Sequence, residues 1–313
     1  MSLFPKAAAY YQALVGIPRG PLSNVYIVDP INGSASNPGT TFEAPLDTVL
    51  AAYNKCTANQ NDCVLLVGGP TGNALAASLD WAKGYTHLIG LSGDIPGVGQ
   101  RARVTGSAAL DLTYLIDFQA NGCIVKNVQF FNGGDADADA GAVIVSGSDN
   151  HFSNVFFAGM GHATPAARAA SYSLKVTGSE NTFERFTVGL DTIVRAAANA
   201  ELIVSGGRNR FFDGELRSNS VTAGKFLVTI DNSADMRDVQ FNNVLFFNYS
   251  TNWATGITDA INIPAGGSTV FLILDEKCRF VGVGMGVANN VTHVYGAGAA
   301  PNAGFGISLN PTT

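Results

Sequence analysis

The sequence predicts an all-β solenoid of stacked coils, each made of short parallel strands. Three observations carry this. A motif recurs: residues 145–152 read V-S-G-S-D-N-H-F, 176–183 read V-T-G-S-E-N-T-F and 204–211 read V-S-G-G-R-N-R-F, with starts 31 and 28 residues apart. Fixed periods of this size mark repeat architectures. Apolar residues alternate before each motif asparagine (Val143/Val145, Leu174/Val176, Leu202/Val204), and Lys175 between two of them faces outward; a period of two means strand. No helical three-four spacing interrupts residues 116–246.

A weaker copy, I-D-F-Q-A-N-G-C at 116–123, begins 29 residues before the first motif, and Phe241 follows Phe211 by 30. A second strand follows each asparagine: Phe152-x-x-Val155-x-Phe157, Phe183-x-x-Phe186-x-Val188 and Phe241-x-x-Val244-x-Phe246. The asparagine belongs at the bend between strands, because Asn tolerates the left-handed conformation. Asn121, Asn150, Asn181 and Asn209 are expected to stack as a hydrogen-bonded ladder.

These V-[ST]-G-x-x-N-x-F coils resemble the right-handed, single-stranded parallel β-helix proteins of the pectate-lyase-like superfamily. The opening V-Y-I-V-D-P-I-N-G-S at 25–34, N-P-G-T at 37–40 and H-L-I-G…R-A-R-V at 87–104 also resemble segments of such proteins, among them phage virion proteins and polysaccharide-degrading enzymes. The resemblance implies the fold. It leaves activity open, because one fold hosts unrelated functions.

In chain order, residues 1–24 form an arm and linker: a short helix over Lys6–Val15, then the breakers Gly16, Pro18, Gly20 and Pro21. Packing of this helix on its own solenoid is the equal alternative. Tyr10, Tyr11 and Gln12 interrupt an apolar centre and speak against a signal peptide. Residues 45–56 are expected to form an amphipathic cap helix, with Leu46, Val49, Leu50 and Tyr53 on one face and Pro45 in its first turn. The β-helix domain covers 25–281. Dividing residues 64–281 by a period near 29 predicts seven to eight coils, a stack about 35 Å tall. Residues 282–313 are read as a Gly-rich tail that caps the far end or reaches a neighbour.

Only 13% of residues are charged, the formal net charge is −6, and no Lys/Arg run exists. That argues against nucleic-acid binding, and no apolar run has membrane-spanning length. Four cysteines form neither a disulfide framework nor a zinc spacing. Reduced thiols are expected, Cys56–Cys63 being the only pair placed to bridge. Cys123 takes the phenylalanine position of its coil.

Asp135, Asp137 and Asp139 alternate as calcium-loop ligands do, but a solvated loop between two coils is the favoured reading, so no cofactor is required. Polysaccharide cleavage needs paired carboxylates. Asp191, Asp213, Glu184 and Glu215 qualify by residue type, Gly161-His162 is similar to a polygalacturonase fragment, and Trp81, Tyr249 and Trp253 are candidate sugar platforms. With no complete catalytic motif, the reading is a non-enzymatic structural virion protein, assembled in the host cytoplasm. It would be a homotrimer that decorates or projects from a phage capsid and contacts the major capsid protein. Tyr10, Tyr11, Leu14 and Val15 are its docking residues, and Phe131, Phe156 and Phe247 its outward apolar residues. The alternative is a polysaccharide-binding or polysaccharide-cleaving β-helix that meets surface glycans.

Overall fold

The computed structural model describes residues 14, 16–92, 102–106, 110–220, 222, 224–231, 237–249, 257–264, 271–289 and 294–296. Tyr10, Tyr11, Val15, Arg101 and Trp253 lie outside them, as do residues 290–293 and 297–313; within the segment expected to be a tail after Val281, Val283–Asn289 and Val294–Gly296 are strands that continue the coils. Three parallel sheets enclose one core. Among the described residues, sheet A has ten strands, from Val25–Val28 to Val294–Gly296; sheet B has nine, from Asn73–Leu75 to Arg279–Val281; sheet C has eight, from Leu79–Asp80 to Val283–Asn289. A coil visits C, then A, then B, as in Ile116–Phe118, Ile124–Lys126 and Gln129–Phe131. The fold is the expected parallel β-solenoid.

The motif can now be read position by position. Its valines lie in register, Val145 beside Val176 and Val176 beside Val204. Its glycines are required by space. A Cβ on Gly147, Gly178 or Gly206 would stand 2.1, 1.8 or 1.8 Å from a carbonyl oxygen of the preceding coil. Its asparagines are buried and bond to backbone rather than to one another. Asn181 Oδ1 accepts from the Asn150 amide at 3.0 Å, and Asn209 Oδ1 accepts from the Asn181 amide at 2.9 Å. Each side-chain amide donates to a carbonyl one coil back, Asn181 to Gly147 at 3.1 Å and Asn209 to Gly178 at 2.9 Å. The left-handed residue is the one before: Asp149, Glu180 and Arg208 have φ of 58°, 63° and 57°. Asn serves its left-handed role at the A-to-B corner instead, where Asn127, Asn154 and Asn243 have φ of 58°, 53° and 53°.

The weak first copy is shifted by two residues. Ile116 pairs with Val143 and Phe118 with Val145, an offset of 27 rather than 29. Asn121 therefore falls outside the asparagine column. Cys123 takes the asparagine's place, its amide donating to Asn150 Oδ1 at 2.8 Å, and Val125 stands opposite Phe152. The shift has a steric cause: Gly122, at φ 68°, makes the left-handed turn that Asp149 makes one coil later.

Phenylalanines stack along the core. Phe152–Phe183, Phe183–Phe211 and Phe211–Phe241 lie 4.7, 4.7 and 4.8 Å apart with near-parallel rings. Trp81 belongs to this core rather than to the surface. It is fully buried, its indole donates to Thr86 Oγ1 at 2.7 Å, and its ring sits 5.6 Å from Phe118. Alternation decides this: Leu79 and Trp81 point in and Asp80 points out. The outward trio is less open than expected, since Phe156 is buried and Phe131 and Phe247 are half-buried.

The helix near the N-terminus, α1 (Val49–Lys55), is shorter than residues 45–56. Thr48 is its N-cap and accepts from the Ala51 amide at 3.2 Å, a role suited to a short hydroxyl side chain. Leu46 instead bridges Val28, so Pro45 precedes the helix and is not in its first turn. Val49, Ala52 and Tyr53 face the first strands, while Leu50 is exposed. Leu14 and Ile17 pack on the outer face of sheet A against a cluster that includes Val25, Ile27, Cys63, Leu65 and Ile89. This end of the N-terminal segment covers its own solenoid. All four cysteines are free thiols.

Candidate functional site

The alternation that buries Leu79 and Trp81, or Ile116 and Phe118, turns the residue between them outward. Asp80 and Asp117 occupy these places and are direct register partners on neighbouring strands of sheet C. Parallel neighbours are about 4.8 Å apart, so two carboxylates project side by side from a rigid surface. Asp80 Oδ1 accepts from the Tyr114 hydroxyl at 2.9 Å. Asp117 Oδ1 accepts from Ser146 Oγ at 2.7 Å and its Oδ2 from Gln119 Nε2 at 3.2 Å.

Two phenols report the local field. Burial raises the Tyr114 pKa, and the bond to Asp80 and the charges of Asp80 and Asp117 raise it further. Burial likewise raises Tyr172, with Asp117 next in effect. Both phenols therefore stay protonated as donors. Lys175 stands two coils beyond Asp117 in the same outward row, after Ile144, with Nζ 5.9 Å from the Tyr172 ring centre. The face thus offers two oriented carboxylates, neutral donors and one cation. The sequence signal for the pair was present, a lone Asp between two buried apolar residues in consecutive sheet C strands. It was hidden because the two positions are 37 residues apart and fall outside the repeat period.

Of the carboxylates named from sequence, Asp191 and Glu215 both act on Arg217, while Glu184 and Asp213 make separate contacts. Glu184, on the outer face of sheet A, lies 3.4 Å from His151 and accepts from Ser153 Oγ at 2.7 Å. Asp213 is a corner residue at φ 52° and accepts from Asn243 at 2.7 Å. Glu215, on sheet B, pairs with Arg217 at 2.7 Å. The Asp191 carbonyl accepts from Asn219 at 3.1 Å. Each proposed calcium ligand meets its own contact: Asp135 lies 2.9 Å from His162 Nδ1 and accepts from the Thr164 hydroxyl, Asp137 pairs with Arg168, and Asp139 accepts from the Ala170 amide at 3.2 Å. Among the described residues, no three His, Cys, Asp or Glu side chains are grouped to hold a metal ion. His162 is a loop residue that caps a four-residue helix. Tyr249 is exposed on sheet B.

A charged network escaped sequence reading. Glu201, Arg195 and Lys225 are fully buried. Glu201 Oε1 accepts from Arg195 Nε at 2.7 Å and Lys225 Nζ at 3.2 Å, and its Oε2 accepts from Ser173 Oγ at 2.6 Å. Arg195 also donates to the Met160 carbonyl at 2.9 Å and Lys225 to Asn199 Oδ1 at 2.8 Å. With no solvent access, this network joins coils and has no route to a ligand.

No family model matches the chain, and no curated protein matches it. Solved structures do. Pectate lyase Pel9A superposes with a TM-score of 0.57 at 17% identity, over 83% of this chain; the match spans 63% of the lyase. Pectin methylesterase from carrot gives 0.56 at 12% identity, covering 94% of this chain and 89% of its own. Pectin methylesterase PemA from Erwinia chrysanthemi gives 0.54 at 14% identity, covering 91% and 93%. Together with the three-sheet coil, these likenesses show a parallel β-helix fold.

Proposed function

We propose that this protein processes a polysaccharide on the outer face of sheet C, with Asp80 and Asp117 as the reacting carboxylates. The observation that carries the reading is their in-register pairing. The backbone spacing of about 4.8 Å is close to the ~5–5.5 Å between the carboxyl groups of retaining glycoside hydrolases. Asp117, oriented at both oxygens by Ser146 and Gln119, is the nucleophile. Asp80, held at one oxygen by Tyr114, is the proton donor to the leaving oxygen. Lys175 supplies a cation for a sugar carboxylate further along the chain. The fold's pectin-processing neighbours support an acidic substrate such as pectin. No observation on the described residues favours capsid decoration over this reading, and the homotrimer and its docking arm rest on the sequence alone.

The test is incubation of the protein with polygalacturonate, methyl-esterified pectin and neutral glycans. Reducing ends, methanol and unsaturated uronate are measured. Reducing ends that disappear in Asp117→Asn and Asp80→Asn, with β-sheet circular dichroism unchanged, support the assignment. Absence of all three products from every glycan would falsify it.

A further inference from the structure

A second charged surface lies around the corner from sheet C. Asp149, Glu180, Thr182, Arg208 and Arg210 line a groove of about 380 Å³. The repeat builds it. Asp149, Glu180 and Arg208 are the left-handed residues of three successive coils, and that backbone turn carries their side chains off the solenoid. Thr182 and Arg210 are register partners on the outer face of sheet A. Each position therefore recurs about every 4.8 Å along the stack.

The chemistry of the lining selects a ligand class. Two carboxylates and two guanidinium groups give the groove no net charge. Glu180 pairs with Arg208, while Asp149 and Arg210 have no ion-pair partner among the described residues. Carboxylates only accept hydrogen bonds and guanidinium groups only donate them. A polyanion would satisfy Arg210 but meet repulsion from Asp149 and Glu180. A polycation would meet the reverse. A group that both donates and accepts, the hydroxyl, satisfies both, and Thr182 adds a hydroxyl of its own. The geometry points to a binding site for neutral saccharide hydroxyls, separate from Asp80 and Asp117 and independent of whether that pair is catalytic. None of the residues lining the groove is aromatic, so binding is weak.

The experiment is nuclear magnetic resonance titration of the full chain with neutral trisaccharides of galactose, glucose and rhamnose. Trigalacturonate and inorganic phosphate are run in parallel. The expected result is saturable shifts with at least one neutral trisaccharide and about a tenfold weaker Kd in Arg210→Ala and in Asp149→Ala, one charge-assisted hydrogen bond being lost in each. Asp117→Asn should bind as the wild type does, which separates this site from the sheet C face. Three results overturn the inference: no binding of any neutral trisaccharide, binding that both variants leave unchanged, or binding of phosphate and trigalacturonate that Asp149→Ala strengthens.

Discussion

Replacing Glu201 by Gln tests the buried network most sharply. Among the described residues, Glu201 is the carboxylate that pairs with two buried cations, Arg195 and Lys225. Burial alone would raise its pKa, but Arg195 and then Lys225 outweigh that and hold it at about 2. Gln keeps the shape and removes the charge, leaving both cations without a counter-ion. Breaking a buried pair in this way costs about 3–5 kcal/mol. At ~2.1 cal/mol/K of unfolding entropy per residue, 313 residues give about 0.7 kcal/mol/K, so a 4 kcal/mol loss lowers Tm by about 6 °C. The pH dependence follows from the depressed carboxyl. Its stabilisation is complete above 4.5, the ordinary value, and is lost as pH falls through about 2. Calorimetry of wild type and variant at neutral pH and at successively lower pH should show a gap that narrows as Glu201 protonates. A gap under about 1 kcal/mol at neutral pH would refute the reasoning, and so would one that persists unchanged in acid. Lys225→Met is the companion. Burial pushes the Lys225 pKa down to about 8, so the folded state holds that proton less tightly than the unfolded chain. Relative to this variant, the wild type should gain stability as pH rises from about 8 towards 10.5.

Three further outcomes are expected. Phe183→Ala removes the ring stacked at 4.7 Å on both sides and should cost about 3–5 kcal/mol by urea unfolding; a loss below about 1 kcal/mol would mean that the stack collapses around the gap. Gly178→Ala places a methyl 1.8 Å from the Gly147 carbonyl oxygen. It should lower Tm far more than alanine at exposed Asp149, and equal effects would contradict the close-approach account of the motif. Burial pushes the His87 pKa down to about 4, and its Nδ1 accepts from the Ile124 amide at 3.0 Å. Its contribution to stability is therefore present above 6.5 and lost as pH falls through about 4. Imidazole resonances showing a charged His87 at pH 6 would contradict this.

The fold was legible because the coil writes its own period. Valine alternation, the glycine forced by a neighbouring carbonyl and the stacked phenylalanines each recur once per turn. What escaped reading lies where a coil departs from that period. The two-residue shift at Ile116 depends on Gly122 taking the left-handed turn that Asp149 takes later. Asp80 and Asp117 are adjacent in space, yet the segment joining them is longer than the motif spacing, so no fixed interval links them. Glu201 shares the outward parity of Ile203, yet Arg195, Lys225 and Ser173 from other segments enclose it. Contacts between a strand and the loops that cross it have no period. Of the candidate carboxylates chosen by type, Asp191 and Glu215 share Arg217 while Glu184 and Asp213 make separate contacts, and residue type, which carries no register, could not tell these apart.

The proposal to test is that Asp80 and Asp117, register partners on neighbouring strands, perform the chemistry. The most direct measurement is the anomeric configuration of the first sugar released, followed by proton nuclear magnetic resonance as the reaction starts. The in-register pair predicts retention, through a glycosyl ester on Asp117, and no release by Asp117→Asn. Inversion at the anomeric carbon would contradict the account, because it requires a wider gap with room for water; so would full activity in Asp117→Asn.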